Sequence, residues 1–266
     1  VLHVQAANSV RRMRVSEDAE FSGAFWETFA LERAFTLSTG DGVKTVYLQL
    51  ENERGEVSET AQDSIILDTT PPLLERFEVN GGVGYINRAQ VNVLLSARDL
   101  HSGVAKMRLG VASQARDLPL VDYALAQAVV LEEAPGVPQT VWAQVVDGAG
   151  NEAEAVSFAV VYDAQAPVAG SPALTIEGGA AVTASRKVGL AFNVEGADEM
   201  QVSNRSGLED AAWRIFAAEL EPWLLEAGDG EKRVYARFRD LAGNATDIYS
   251  ASIILDTTGA IAGTLR

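Results

Sequence analysis

The heptapeptide Ser64-Ile65-Ile66-Leu67-Asp68-Thr69-Thr70 returns unchanged as Ser252-Ile253-Ile254-Leu255-Asp256-Thr257-Thr258. A looser copy, Phe158-Ala159-Val160-Val161-Tyr162-Asp163-Ala164, stands between them. Upstream of each copy an alternating run leads into a turn. Val46-Tyr47-Leu48-Gln49-Leu50 precedes Asn52-Glu53-Arg54-Gly55, and Val141-Trp142-Ala143-Gln144-Val145 precedes Asp147-Gly148-Ala149-Gly150-Asn151. Val234-Tyr235-Ala236-Arg237-Phe238 likewise precedes Asp240-Leu241-Ala242-Gly243-Asn244. Further back, Met13-Arg14-Val15-Ser16, Met107-Arg108-Leu109 and Met200-Gln201-Val202-Ser203 fall into the same register. Asp68, Asp163 and Asp256 are 95 and 93 residues apart, and Gly55, Gly150 and Gly243 repeat both intervals. Independent markers agreeing on one period identify a tandem array.

Inside each unit, hydrophobic residues alternate with polar ones between closely spaced turn residues. That pattern reads as all-β and predicts tandem immunoglobulin-like sandwiches. In the second unit it places strands near 74–79, 90–98, 103–110, 126–133, 138–147 and 153–162. Val141, Ala143 and Val145 then face the core while Trp142 and Gln144 face outward, because successive side chains alternate across a sheet. The Asp-x-x-Gly-Asn segment reads as the turn between the last two strands, with Asp bonding to its own backbone and Gly taking positive φ. Helix signals are weak, with room for a short helical turn at Ala24–Leu31 and Leu208–Ala218. The expected units are 1–71, 72–167 and 168–259, joined by the short linkers Thr69–Pro72 and Ala164–Pro167. Aligning Met13 with Met200 sets Val1 opposite Val188, so the first unit is expected to lack the opening strand that Glu75–Val79 and Ala173–Ile176 supply in the others. At the far end Ile261, Gly263 and Leu265 sit where Leu73, Glu75 and Phe77 sit in the second unit. Residues 260–266 therefore resemble the opening strand of a further repeat.

Composition restricts the chemistry. Of 266 residues, 21 are Lys or Arg and 37 are Asp or Glu, a formal net charge of −16 that repels nucleic acid phosphates. No apolar run approaches the ~20 residues of a membrane-spanning helix, and Val1–Val4 has no leader-like pattern. Without cysteine, disulfides, thiolate metal sites and cysteine nucleophiles are excluded. His3 and His101 are the two histidines, too few for a histidine-based metal or triad site. His101-Ser102-Gly103 has no counterpart in the other units and no third member, so it reads as a loop and not as a nucleophile with its base. No catalytic function is expected.

The closing Ile65–Pro72 segment, the Gly-Asp-Gly-x-Lys-x-Val-Tyr stretches at Gly40–Tyr47 and Gly228–Tyr235, and the Asp-x-x-Gly-Asn turn resemble bacterial immunoglobulin-like tandem repeats. The resemblance covers essentially the whole chain and implies an extracellular, cell-surface stalk, adhesin or fibre. The middle unit departs from it, with Ala134-Pro135-Gly136 for Gly-Asp-Gly and Ala164-Gln165 for Thr-Thr. The implied partners are neighbouring repeats or copies of the chain itself, a glycan, or a host surface protein.

Three sets of candidate residues follow. At the joints, Asp68 is expected near Asp99 and Asp147, and Asp163 near Asp198 and Asp240. Such oxygens suit calcium, although Asp also ends strands and caps turns without any ion, and the fold requires no cofactor. Tyr47, Trp142 and Tyr235 share one outward position that could stack on a sugar or pack across strands. Finally, Val1 and Val4 border the vacant edge of the first unit. Strand addition there by Ile261, Gly263 and Leu265 of another chain would build a fibre head to tail; the other reading is a window cut from a longer array.

Overall fold

The computed structural model describes residues 1–6 and 10–258. They gather into two compact units. One holds Val1–Glu78, Val93–Gln127 and Trp142–Ser157, and the other holds Val79–Asn92, Ala128–Val141 and Phe158–Arg266. The middle repeat read from the sequence thus contributes to both.

The last repeat is the most completely built sandwich. One sheet runs in the order Val168–Ile176, Lys187–Glu195, Glu219–Leu224. The other runs Val182–Thr183, Tyr249–Leu255, Gly230–Arg239, Glu199–Ser203, Arg214–Ile215. Alternation supplies the core: Leu174, Ile176, Val188, Leu190 and Phe192 meet Met200, Val202, Val234, Ala236, Phe238 and Ile253. Phe238 is the anchor, with Phe192 and Phe216 edge-on to its ring at 5.6 and 5.9 Å, a geometry that favours ring quadrupoles. Val182–Thr183 lies parallel to the closing strand, pairing Val182 with Ile254 and Thr183 with Leu255.

The same strand orders recur between residues 73 and 162. They are Ala126–Val130, Gln90–Arg98, Leu73–Val79, and then Val121–Asp122, Val104–Val111, Pro138–Asp147, Val156–Tyr162, Tyr85–Ile86. The alternation of the sixth strand is as expected, with Val141, Ala143 and Val145 fully buried and Trp142 and Gln144 half-buried. The first repeat keeps the larger sheet, in the order Glu27–Thr28, Val10–Ser16, Gly42–Asn52, Ala61–Leu67. Among the described residues its smaller sheet pairs Leu2–His3 with Glu32–Arg33.

Two local expectations are corrected. Among the described residues no α-helix forms; each proposed segment carries a two-residue strand, Glu27–Thr28 or Arg214–Ile215, and Leu208–Ala211 closes as a single hydrogen-bonded turn. Glu27 pairs with Met13 and Arg214 with Met200. Just before or at each segment a bulky residue takes positive φ, Phe21 at 55° and Leu208 at 58°, which breaks helical winding at its start. The parallel pairs at Tyr85–Ile86 and Val182–Thr183 escaped the sequence reading because two-residue strands have no periodicity to detect.

Candidate functional site

The first joint is built around the closing Asp68, whose polar side chain is buried. Its Oδ1 accepts the N–H of Thr70 at 3.1 Å, and its Oδ2 accepts both the N–H and the hydroxyl of Ser102. Ser102 is presented by the loop 99–103, where Asp99 Oδ1 collects the N–H groups of His101, Ser102 and Gly103 at 3.0, 2.9 and 2.8 Å. Burial pushes the Asp99 carboxyl up, but the N–H groups of Gly103, His101, Ser102 and Leu100 outweigh it and hold it below the usual carboxylate range. Asp147, also buried, receives Ala149 and Asn151 N–H on Oδ1 and the Asn151 amide on Oδ2. The same amide nitrogen reaches Asp68 O at 3.1 Å.

Asp68, Asp99 and Asp147 therefore do converge, each offering an oxygen within 4.8 Å of the others. Most of their lone pairs already receive N–H or O–H donors. The remaining oxygens fall short of the six or more that calcium gathers, so the set fits a hydrogen-bonded joint better than a cation cage. Ser102 is likewise engaged with a carboxylate and with Ala149 N–H, with no role left as a base-activated nucleophile.

The second joint repeats the clamp without the cluster. Asn244 donates to Asp163 O at 2.7 Å and to Asp240 Oδ2 at 2.8 Å, while Asp240 Oδ1 accepts Asn244 N–H. Asp198 does not join them as a converging carboxylate. Its Oδ2 takes the N–H of Leu241 instead. The two loops differ in length and order: Asp99 opens the five-residue loop 99–103, whereas the three-residue loop 196–198 opens on Gly196, ends on Asp198 and carries no serine. Both joints bury the last proline of the linker, Pro72 and Pro167.

A second device closes the outer repeats. Asp41 accepts the N–H and hydroxyl of Thr69 and the hydroxyl of Thr70, and Asp229 accepts the N–H and hydroxyl of Thr257. The hydroxyls of Thr70 and then Thr69 hold the Asp41 carboxyl below its ordinary range, and the hydroxyl and N–H of Thr257 do the same for Asp229. Nothing in the sequence reading assigned these aspartates a partner. The signal was present in the joint absence of Gly-Asp-Gly and Thr-Thr from the middle repeat.

Tyr47, Trp142 and Tyr235 are all half-buried on the outward face. The Trp142 indole N–H is committed to Ala112 O at 3.1 Å, which ties the ring to its neighbouring loop. A different aromatic set organises this face in the outer repeats. Arg12 and Arg14 stack on Trp26, at 5.8 and 4.9 Å from the ring centre, and Arg237 and Arg239 stack on Trp213 at 5.1 and 4.2 Å. In the first repeat the arginines stand on Val10–Ser16 and face Glu51 and Gln49 across the strand pair. In the third they stand on the opposite strand and face Glu199 and Gln201. Donors and acceptors have exchanged strands while the stack is preserved.

Along the closing strand of the first repeat, apolar residues are exposed. Ile65 is 58% exposed, whereas Ile253, at the same place in the repeated heptapeptide, is 1% exposed. A groove of about 370 Å³ runs along Val1–Gln5, Val46, Leu48 and Ala61–Asp63. Val1 lies open beside it, while Val4 is buried with its N–H on Leu31 O. Ile261, Gly263 and Leu265 lie outside the described residues.

Comparisons with known proteins give remote likenesses. The fibronectin(III)-like modules of Clostridium thermocellum CbhA are 11% identical over 72% of this chain and 100% of theirs, with a TM-score of 0.45. The chicken CNTN1 FN1–FN3 domains are 12% identical over 80% of this chain and 75% of theirs, TM-score 0.43. The BSP domain of a biofilm-associated protein is 8% identical over 84% of this chain and 44% of its own, TM-score 0.25. No family model matches the chain, and no curated protein sequence does.

Proposed function

We propose that the chain is a non-catalytic structural segment of an extracellular bacterial surface fibre or adhesin stalk. The observation that carries this reading is the asparagine clamp, made twice with the same partners: Asn151 to the carbonyl of Asp68, and Asn244 to the carbonyl of Asp163. Each clamp ties the turn of one repeat to the end of the strand before it, across a linker with a buried proline. Proline fixes φ, and the clamp fixes the next residues, so each joint has few geometries to sample. Side chains spent on holding joints suit a part whose work is reach. The half-exposed Tyr47, Trp142 and Tyr235 favour a second reading, an adhesion module that recognises a glycan or a host protein.

Limited proteolysis of the Asn151→Ala, Asn244→Ala double variant tests the stalk reading. The linkers Thr69–Pro72 and Ala164–Pro167 are expected to be cut at least about tenfold faster than in the parent, as local opening there becomes cheaper. Cutting at the parental rate would refute it.

A further inference from the structure

The two joints are fastened unequally. Three hydrogen bonds cross the first: Ser102 gives its N–H and its hydroxyl to Asp68 Oδ2, and Asn151 gives its amide to Asp68 O. Among the described residues one crosses the second, from Asn244 to Asp163 O. The first linker is also tied back to its own repeat, since Asp41 takes the N–H and hydroxyl of Thr69 and the hydroxyl of Thr70. In the second linker Ala164 and Gln165 carry no hydroxyl, and Pro135 stands in the place of Asp41. Backbone freedom follows the same order. The first linker holds Pro71 and Pro72 and the second Ala166 and Pro167, so φ is locked at one residue fewer in the second.

The space beside each linker differs in the same sense. Thr70, Pro71, Leu73, Arg98 and Asp99 line a cleft of about 130 Å³. Their counterparts Gln165, Ala166, Val168, Glu195 and Gly196 line one of about 430 Å³. Arg98 reaches Glu75 at 2.6 Å beside the first linker. At the matching positions of the third repeat stand Glu195 and Gly170, which cannot form that pair.

We propose that residues 164–167 are the hinge of the array, and that the first joint is held fixed. Movement at the second joint has one fastening to break and an open cleft to enter, whereas the first has several bonds and little space. The hinge does not rest on the stalk reading. An adhesion module would bend at the same place, and a stalk with two equally stiff joints would still be a stalk.

The chain has no cysteine, so paired cysteine variants take spin labels at two chosen positions alone. Ser64, Ser157 and Ser252 are exposed and stand on the closing strands of the three repeats. The distance distribution from Ser64→Cys with Ser157→Cys reads the first joint, and that from Ser157→Cys with Ser252→Cys reads the second. The second is expected to be at least about twofold wider. Pro135→Asp, Ala164→Thr, Gln165→Thr and Ala166→Pro together rebuild the latch and the second proline. They are expected to narrow the second distribution to the width of the first. Ser102→Ala with Asp41→Asn is expected to widen the first, and it reads the cause even where the fourfold variant fails to fold. Equal widths in the parent would overturn the proposal. So would unequal widths that neither set of substitutions moves, since the difference would then not arise from these fastenings. Linker proteolysis of the asparagine variant is decided independently of either outcome.

Discussion

Exchanging Arg12 and Glu51 should be tolerated as a pair and costly one at a time. In the parent, the Arg12 guanidinium makes contacts of 3.1, 2.7 and 2.9 Å with Glu51, whose side chain is only 10% exposed against 41% for Arg12. Arg12→Glu alone sets two carboxylates face to face with the buried one unpaired. At an effective dielectric near 20 a like pair about 4 Å apart repels by roughly 4 kcal/mol, and rotation of the exposed partner into water relieves part of that. A loss of about 2–4 kcal/mol is expected, and a similar one for Glu51→Arg. In the double variant, glutamate on Val10–Ser16 faces arginine on Gly42–Asn52, the arrangement of Glu199 and Arg239, which meet at 2.6 Å. Trp26 keeps Arg14 at 4.9 Å and gains an arginine from the same strand that serves Trp213. The double variant should therefore lie within about 1 kcal/mol of the parent, a coupling energy of at least about 3 kcal/mol. Urea titrations followed by amide exchange in the segment 10–16 read the stability of this sheet directly. A double variant as unstable as the sum of the singles would refute the claim that the two faces are interchangeable.

Three further outcomes are expected. Because Thr70 and Thr69 depress Asp41, and Thr257 depresses Asp229, their stabilisation is present above the unfolded value near 3.9 and is lost as pH falls through the folded value. The stability gap between the parent and Asp41→Asn should thus close as acid titrations pass below about pH 4; a gap constant to pH 2 would argue against the latch. Chelation should leave the melting temperature of the parent within about 1 °C, since N–H and O–H donors already occupy most of the lone pairs of Asp68, Asp99 and Asp147. A drop of about 5 °C or more would show that a cation shares the joint. On a glycan array, the parent and Trp142→Ala should give the same blank pattern if Trp142 serves its own loop, and a signal lost in the variant would support the adhesion reading.

The fold was legible because it is written three times. Alternation around Val141–Val145 and the recurring Asp-x-x-Gly-Asn turn located the strands and the hairpin to within a few residues. What stayed hidden depends on partners far apart in sequence. Nothing local to Arg12 announces Glu51, and neither residue resembles its counterpart, because the third repeat achieves the same pair with Glu199 and Arg239 reversed. A site conserved as an interaction and not as a residue type is invisible to motif comparison. The joint was partly legible, in that Asp68, Asp99 and Asp147 meet. Asp198 does not join Asp163 and Asp240, because it ends a three-residue loop whereas Asp99 opens a five-residue one.

The middle repeat shows which parts of the joint the array needs. Where Asp41 and Asp229 stand in the outer repeats it has Pro135, and where they find threonines it has Ala164 and Gln165. A threonine hydroxyl without the carboxylate, or the carboxylate without its donors, would be a half-satisfied latch, so the two halves are present or absent together. Other features survive this loss. Gly136 keeps positive φ and gives its N–H to Tyr162 O, and Asp163 still accepts the N–H two residues on, as Asp68 and Asp256 do. Asp163 also still offers its carbonyl to an asparagine. The latch is therefore an optional reinforcement of the closing strand, whereas the aspartate turn with its asparagine clamp is the element on which the link between repeats rests. In the first repeat the asparagine position holds Glu56, whose carboxylate accepts the Asn52 amide and has no N–H with which to reach a carbonyl. That turn is closed upon itself. Replacing Glu56 with asparagine should leave its backbone N–H bond to Asn52 Oδ1 intact and change stability by less than about 0.5 kcal/mol, as expected of an exposed residue.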